Sequence, residues 1–340
     1  MAEPLLEVKN LKVSFRTEDG VVKAVDGVSF TLSPREVLGI VGESGSGKSV
    51  TMMSVLRLIN DPNMQVEGEV IYKGRDVMKL DKDQMQEVRG GDIAMIFQDP
   101  MTSMNPVYRI GDQIAEAILT HQDVDKRTAH KRAVDLLKQV GIPQAETRVD
   151  DFPHQFSGGM RQRAMIAMAL ANNPDILIAD EPTTALDVTI QAQIIELLDK
   201  LKDDFGSAII LITHDLGVVA DIADRIAVMY AGRIVEFGAK RDLFYDPQHP
   251  YTWGLLGSIP RLDRPKTARL HSIEGMPPSL ISPPQGCKFR PRCPHAFEKC
   301  MEEPELVSRV DKRDHLDRCW LEPATKRVAR YQTIEGGQAA

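Results

Sequence analysis

No stretch of this 340-residue chain approaches the ~18 consecutive apolar residues that a bilayer span requires, so no transmembrane helix is expected. Basic charge is not in excess either. The 42 Lys and Arg against 49 Asp and Glu leave a net −7, which argues against a nucleic-acid binder held by electrostatics. The opening Met1-Ala2-Glu3-Pro4 has neither a basic nor an apolar segment. A secretion signal is therefore not expected, and the chain is read as cytoplasmic unless a partner holds it at a membrane. Neither an internal repeat nor a low-complexity tract is present. Cysteine is missing until Cys287, and aromatic residues make up only 5%. The remainder, 42% hydrophobic and 27% charged, describes a soluble globular protein. Its length suggests one large domain and something smaller.

The stretch Gly42-Glu43-Ser44-Gly45-Ser46-Gly47-Lys48-Ser49 follows a short apolar run, Val37–Val41, and precedes a helical pattern over Val50–Ile59. Strand, Gly-x4-Gly-Lys-Ser and helix in that order make a phosphate-binding loop. Glycines let the backbone curl so that successive N–H groups face phosphate oxygens, and the helix N-terminus adds donors and dipole. Lys48 reaches toward the β- and γ-phosphates in such loops, and a hydroxyl placed like that of Ser49 sits on Mg²⁺. The competing reading, a flexible Gly/Ser linker, fits neither the strand before nor the helix after.

Residues 5–40 alternate as strands around a turn at Glu18-Asp19-Gly20. An antiparallel layer ahead of a phosphate loop suggests an adenine platform, with Phe15 either stacking on the base or serving as a core residue. Further strands are expected at Gly68–Tyr72 and Ile93–Phe97. The loop from Gln98 to Pro106 starts with a glutamine able to orient water or metal, or simply to face solvent. Amphipathic helices are expected over 109–140. Phe156-Ser157-Gly158-Gly159-Met160-Arg161-Gln162-Arg163 then opens an apolar helix, either as a second anion-seeking N-terminus or as an N-cap with glycines for the turn. The strand Ile176–Glu181 ends in two carboxylates. Asp180 suits Mg²⁺, and Glu181 suits activation of water. Thr183–Asp187 reads as a loop, a helix follows to about Leu201, and the strand Ala208–Thr213 ends at His214, which can contact a γ-phosphate or be a structural histidine.

These motifs, in this order, resemble the ATPase subunits of ABC transporters over residues 5 to about 240. The resemblance is to the subgroup serving dipeptide and oligopeptide importers, through Gln98–Pro106 and through His249-Pro250-Tyr251-Thr252 with Leu255-Leu256 and Ile259-Pro260. One departure is that Phe156 and Met160 replace the ends of the common Leu-Ser-Gly-Gly-Gln signature. The resemblance implies an α/β phosphate-loop (P-loop) NTPase fold of the ABC ATPase type. It has an antiparallel β subdomain, a helical subdomain at about 100–165 and a small irregular C-terminal extension with cysteines. The implied division is 1–240 for the ATPase, 241–325 for the extension and 326–340 for a flexible tail. The implied roles are ATP binding by Phe15, Gly42, Ser44, Gly45, Ser46, Gly47, Lys48, Ser49 and Val50, and Mg²⁺ binding by Ser49 and Gln98 directly, with Asp180 behind a water. Catalysis falls to Glu181, His214 and Gln98. Ser157, Gly158 and Gly159 would act on the ATP of a second subunit, and Asp187 would lie at the shared interface. Partners implied are two integral-membrane permease subunits, a sister ABC ATPase and, through the complex, an extracytoplasmic peptide-binding protein, with no nucleic acid. The expected location is peripheral, on the cytoplasmic face of the inner membrane. The other function class compatible with the motifs is a soluble ABC ATPase acting in repair, translation or assembly. Those proteins usually carry two cassettes or a long coiled-coil insertion, and neither is visible in this sequence.

Beyond Gly238, prolines 247, 250, 260, 265, 277, 278, 283 and 284 suggest an irregular, loop-rich segment. Cys287, Cys293, Cys300 and Cys319 follow it. Clustered cysteines in a cytoplasmic chain argue against disulfides. Their gaps do not match the tight pairs of structural zinc and are closer to iron–sulfur ligation. Some dipeptide-importer ATPases resemble this chain in carrying a 4Fe–4S cluster at four such cysteines, so a 4Fe–4S cluster is expected, with Zn²⁺ or unligated thiols as the alternatives. Arg290, Arg292, Lys299 and Arg313 are candidates to balance thiolate charge or to be solvated.

Overall fold

The computed structural model describes residues 3–184, 186–259, 273–308 and 314–335. Its strands are β1 (Leu6–Thr17), β2 (Gly20–Leu32), β3 (Val37–Val41), β4 (Met64–Tyr72), β5 (Arg75–Asp76), β6 (Ile93–Ile96), β7 (Ile176–Asp180), β8 (Ala208–Thr213), β9 (Arg225–Tyr230), β10 (Arg233–Ala239) and β11 (Leu316–Asp317). Backbone contacts divide the chain into two units, one of Met1–Leu5, Leu32–Val37 and Tyr72–Ile212, the other of Leu6–Thr31, Leu38–Ile71 and Thr213–Ala340. The chain leaves and re-enters each unit, so neither is a continuous segment.

In the first unit β6, β7 and β8 are neighbouring parallel strands, with Ile96 opposite Ala179 and Ala179 opposite Leu211. Every residue of β7 and β8 is buried, which is why both read as continuous apolar runs rather than alternating ones. Because β6 and β7 run in register, the residues just past their carboxyl ends emerge side by side. The helices Ile110–His121, Lys126–Gln139 and Gly158–Ala169 pack on one another. The Asp125 carboxylate accepts from Thr128 N at 2.7 Å to start the second of them. Ala129, Ala133, Leu136 and Leu137 form its buried stripe, at the helical spacing that the sequence shows.

In the second unit a two-residue turn joins β1 to β2, so the two strands run antiparallel. β3 lies parallel to β9, with Val41 opposite Val228. β9 and β10 form a hairpin whose two turn residues, Ala231 and Gly232, both have positive φ, 46° and 80°. This suits the mirror-image turn that matches strand twist. β10 continues the sheet to β11, with Glu236 opposite Asp317.

The region beyond residue 238 is more regular than its prolines suggest. Helices span Lys240–Tyr245 and Pro250–Gly257. Pro250 stands at the first helical position, where the missing N–H costs nothing and the fixed φ suits the helix. A helix also runs over Pro323–Glu335, where the sequence suggests a flexible tail from 326. It packs on the 250–257 helix, and its Lys326 is buried with Nζ 2.7 Å from Asp317 Oδ1 on β11. Nearby, Glu236 accepts from Gln248 N at 2.6 Å and His249 N at 2.9 Å, and His315 Nε2 lies 2.8 Å from its Oε1. Buried polar groups fasten this end of the chain. Among the described residues no helix is long and apolar enough to cross a membrane.

Lys326→Ala removes the buried cation that faces Asp317 and leaves that carboxylate in a dry site. Urea unfolding of this variant should show a loss of about 3–5 kcal/mol. A midpoint like that of the wild type would mean that the pair does not anchor the helix.

Candidate functional site

The loop between β3 and the helix Lys48–Val55 belongs to the second unit. Gly42, Gly45 and Gly47 have φ of 153°, 76° and 98°, a backbone that side chains resist. At two of them there is no room either: a Cβ on residue 42 would stand 2.2 Å from Met229 O, and one on residue 47 would stand 2.3 Å from Ala24 O. The Lys48 side chain is buried and folds back over the loop, donating to Gly42 O at 2.8 Å and Glu43 O at 3.1 Å. Ser46 Oγ is buried without a hydrogen-bond partner. Ser49 and Val50 are half-buried on the first turn of the helix, while Ser44 and Gly45 are exposed. The loop is thus a glycine-walled cradle with a cation over it and an unused hydroxyl, which fits polyphosphate.

Several groups brace this cradle. Gly232 N, in the β9–β10 turn, donates to Ser46 O at 2.9 Å, and Asp26 N donates to Gly232 O at 2.8 Å. Tyr251 Oη accepts from Glu43 N at 2.8 Å. Arg292, one residue before Cys293, forks onto the Glu43 carboxylate at 2.6 and 3.0 Å. Nothing in the sequence marks Tyr251, Arg292 or Asp26 as neighbours of the loop, since up to 249 positions separate the partners. In the same unit Phe15 is half-buried on β1 rather than sealed in the core, and His214 is exposed just past β8.

In the first unit Asp180 ends β7, 5% exposed, and Glu181 follows with φ of +46°. That conformation is unfavourable for a non-glycine residue. It is held by Glu181 N donating to Ile212 O at 2.9 Å. Gln98 Nε2 and Thr184 Oγ1 donate to Glu181 Oε2 at 3.0 and 2.8 Å. The register of β6 with β7 accounts for the meeting of Gln98 and Glu181. Ser157 caps the helix Gly158–Ala169, its Oγ accepting from Met160 N at 3.3 Å. At residue 159 a Cβ would come within 2.9 Å of Ile190 Cγ2, so glycine lets two helices approach. Asp187 caps the helix Val188–Phe205 by accepting from Ile190 N at 2.9 Å, and Val188 beside it is 83% exposed.

The cysteine expectation needs correction. Cys287, Cys293, Cys300 and Cys319 form no disulfide and line a small cavity with Phe289, Pro304 and Trp320. Among the described residues, however, no three His, Cys, Asp or Glu are grouped so as to hold a metal ion. Neither an iron–sulfur cluster nor zinc is supported. Burial also pushes the thiols of Cys287 up to about 11 and of Cys293 and Cys319 to about 12. The cations expected to balance charge there are engaged elsewhere. Arg290 contacts Met301, Arg292 binds Glu43, and Lys299 lies 4.2 Å over the Trp320 ring. Arg313 lies outside the described residues.

Comparison with known proteins gives concordant results. The ABC transporter family matches residues 25–184, and the oligopeptide/dipeptide transporter C-terminal region matches residues 235–300. The oligopeptide transport ATP-binding protein OppD of Bacillus subtilis (strain 168) is 53% identical over 97% of this chain and 93% of its own. The dipeptide transport ATP-binding protein DppD of the same organism is 53% identical over 94% and 95%. Among solved structures, the ATP-binding cassette MJ0796, a dimer in a post-hydrolysis state bound to ADP and Pi, is 28% identical. It covers 69% of this chain and 99% of its own, with a TM-score of 0.62.

The brace around the loop also sets an acid response. Asp26 accepts from Lys288 Nζ at 2.8 Å and Arg233 Nε at 2.9 Å. Burial alone would raise its carboxyl, but Lys288 and Arg233 outweigh burial and hold it down at about 2. Lys288 is also shifted downward, because burial outweighs its attraction to Asp26; the carboxylate, shared by two cations, sets the response. A depressed carboxylate stabilises the fold above its unfolded-state value and loses that contribution as pH falls through the folded value. Stability should therefore drop by about 2 kcal/mol on this account between about pH 4 and about pH 2. Asp26→Asn should flatten that part of the acid-unfolding profile, and an unchanged profile would remove Asp26 as its source.

Proposed function

Because the chain belongs to the ABC transporter family and carries the C-terminal region of its oligopeptide and dipeptide transporters, we propose that it is the ATP-hydrolysing subunit that powers import of dipeptides or oligopeptides. The observation that carries this reading is the presence in one chain of both parts: a cassette with a glycine-walled phosphate loop, and the transporter-type region at 235–300. The chain has no membrane-crossing helix among its described residues, so it works peripherally with permease subunits. We place it on the cytoplasmic face of the inner membrane, paired with a sister ATPase and supplied by an extracytoplasmic peptide-binding protein.

In this reading the loop from Gly42 to Ser49, with Val50, holds the phosphates, and Phe15 stacks on adenine. The Ser49 hydroxyl and the Gln98 amide oxygen would hold Mg²⁺, with the Asp180 carboxylate behind a water, all hard oxygens as that ion prefers. The ion supplies neutralisation of phosphate charge. Glu181, whose Oε2 accepts from Gln98 and Thr184, is oriented to polarise the attacking water. His214, exposed past β8, contacts the γ-phosphate. Ser157, Gly158 and Gly159 present the capped N-terminus of their helix to the ATP of the partner ATPase, with Asp187 at the shared interface. A single chain then supplies two half-sites and needs a second subunit.

Glu181→Gln keeps the side-chain shape and removes the base, so nucleotide binding should persist while turnover falls ~10²–10⁴-fold. Near-normal hydrolysis would exclude Glu181 as the residue that activates water. Ser157→Arg should depress hydrolysis in the assembled transporter while this chain's own nucleotide binding is retained. Purification from membranes under mild detergent should bring down two integral-membrane proteins. Recovery with soluble partners alone would favour the soluble-ATPase class instead.

A further inference from the structure

The phosphate loop contains a carboxylate, Glu43, in a cradle meant for an anion. Left to itself, a negative charge at the second position of the loop opposes polyphosphate at short range. The structure supplies a counter-charge from far along the chain. Arg292 reaches the carboxylate with two parallel N–H bonds, at 2.6 Å to Oε2 and 3.0 Å to Oε1, the arrangement that makes guanidinium–carboxylate pairs strong and directional. The pair is shielded, with the Arg292 side chain 5% and that of Glu43 28% exposed. The rest of the guanidinium is satisfied as well, by Glu274 O at 3.0 Å, Ile273 O at 3.2 Å and Tyr230 Oη at 3.4 Å. With every nitrogen engaged, Arg292 is fixed in place and is not available to a ligand. The Glu43 backbone is fixed separately, by Tyr251. A second strut from the same lobe, Lys288, donates to Ala231 O at 3.0 Å in the turn whose Gly232 holds Ser46 O.

We propose that Arg292 is a positioning residue for nucleotide binding: it neutralises Glu43 and holds its carboxylate away from the anion path, so that the C-terminal cysteine lobe conditions the phosphate loop. This rests on the reading that the loop holds the phosphates of ATP. Arg292 touches no phosphate itself. It acts through Glu43, and the two residues should therefore show a dependence of definite sign.

The test is equilibrium binding of Mg²⁺ and a fluorescent ATP analogue to the full-length chain, alongside its thermal transition. Arg292→Gln exposes the loop to the Glu43 charge and should weaken binding about tenfold at low salt, with a smaller loss at high salt. Removing the offending charge as well, in the double variant Glu43→Gln with Arg292→Gln, should restore binding to within about threefold of wild type. A merely structural role predicts the opposite, since the double variant would bind no better than Arg292→Gln. Wild-type affinity in Arg292→Gln, or failure of the double variant to recover, overturns the proposal. Should Arg292→Gln not fold, Glu43→Gln alone decides, because it should bind at least as tightly as wild type and weaker binding contradicts the idea. Lys48→Ala separates the two levels. If it retains full affinity, the loop is not the nucleotide site and the proposal falls with that reading. If it loses affinity while Arg292→Gln does not, only the role of Arg292 falls.

Discussion

The carbonyl oxygens of Met229 and Ala24 set the limits within which the nucleotide loop is built. Each lies little more than 2 Å from where a side chain on Gly42 or Gly47 would begin. The loop can follow its path only with hydrogen at those positions, and only while the β9–β10 hairpin and the β1–β2 hairpin stay where they are. A free Gly-rich segment would be flexible. Here the glycines serve close packing, and the surrounding backbone removes the freedom that they bring. The same contacts explain why the loop comes with so many supports. Gly232 N holds Ser46 O, Asp26 accepts from Lys288 and Arg233, and the extension grips Glu43 through both its backbone and its carboxylate.

The first unit meets a different constraint. The side chains to which we assign the chemistry stand at the carboxyl ends of parallel strands, the usual place for ligand chemistry in open α/β sheets. Register then does the positioning. Ile96 lies opposite Ala179, so two residues further on, Gln98 and Glu181 come within a hydrogen bond. Glu181 has a left-handed backbone that costs about 1–3 kcal/mol for such a residue. That strain is held by the Ile212 carbonyl and by Thr184.

How much of this was legible in the sequence depended on range. The strand Ala208–Thr213 and the alternating runs before residue 40 were readable because burial imposes apolar patterns on consecutive residues. The phosphate loop and the Asp-Glu strand end were readable because their chemistry is local. Pro250 misled, since a proline reads as a breaker until the first position of a helix is recognised. The helix at 323–335 was hidden because its composition is polar and its anchor, Lys326 on Asp317, is a buried pair rather than an apolar stripe. The cysteine spacing pointed to a cluster, yet spacing carries no information about whether thiols are ionised or buried. In the fold Cys300 and Cys319 are buried and Cys287 and Cys293 half-buried, without the grouping that a metal site needs among the described residues.

The link between Glu43 and Arg292 shows why such an extension is not separable from the enzyme it follows. A cassette that stopped near residue 240 would keep the glycines, Lys48 and Ser49, but it would lose Tyr251, Lys288 and Arg292. Its loop would then carry an uncompensated carboxylate at the site where phosphate charge must gather. Two repairs are open to a sequence: an uncharged residue at 43, or a cation delivered from elsewhere. This chain uses the second, and in doing so makes nucleotide affinity depend on the packing of a lobe that contributes no phosphate ligand. The extension then becomes an element through which the state of the C-terminal region is felt at the loop. That dependence is electrostatic and short-ranged, and it requires no movement larger than the reach of one arginine side chain.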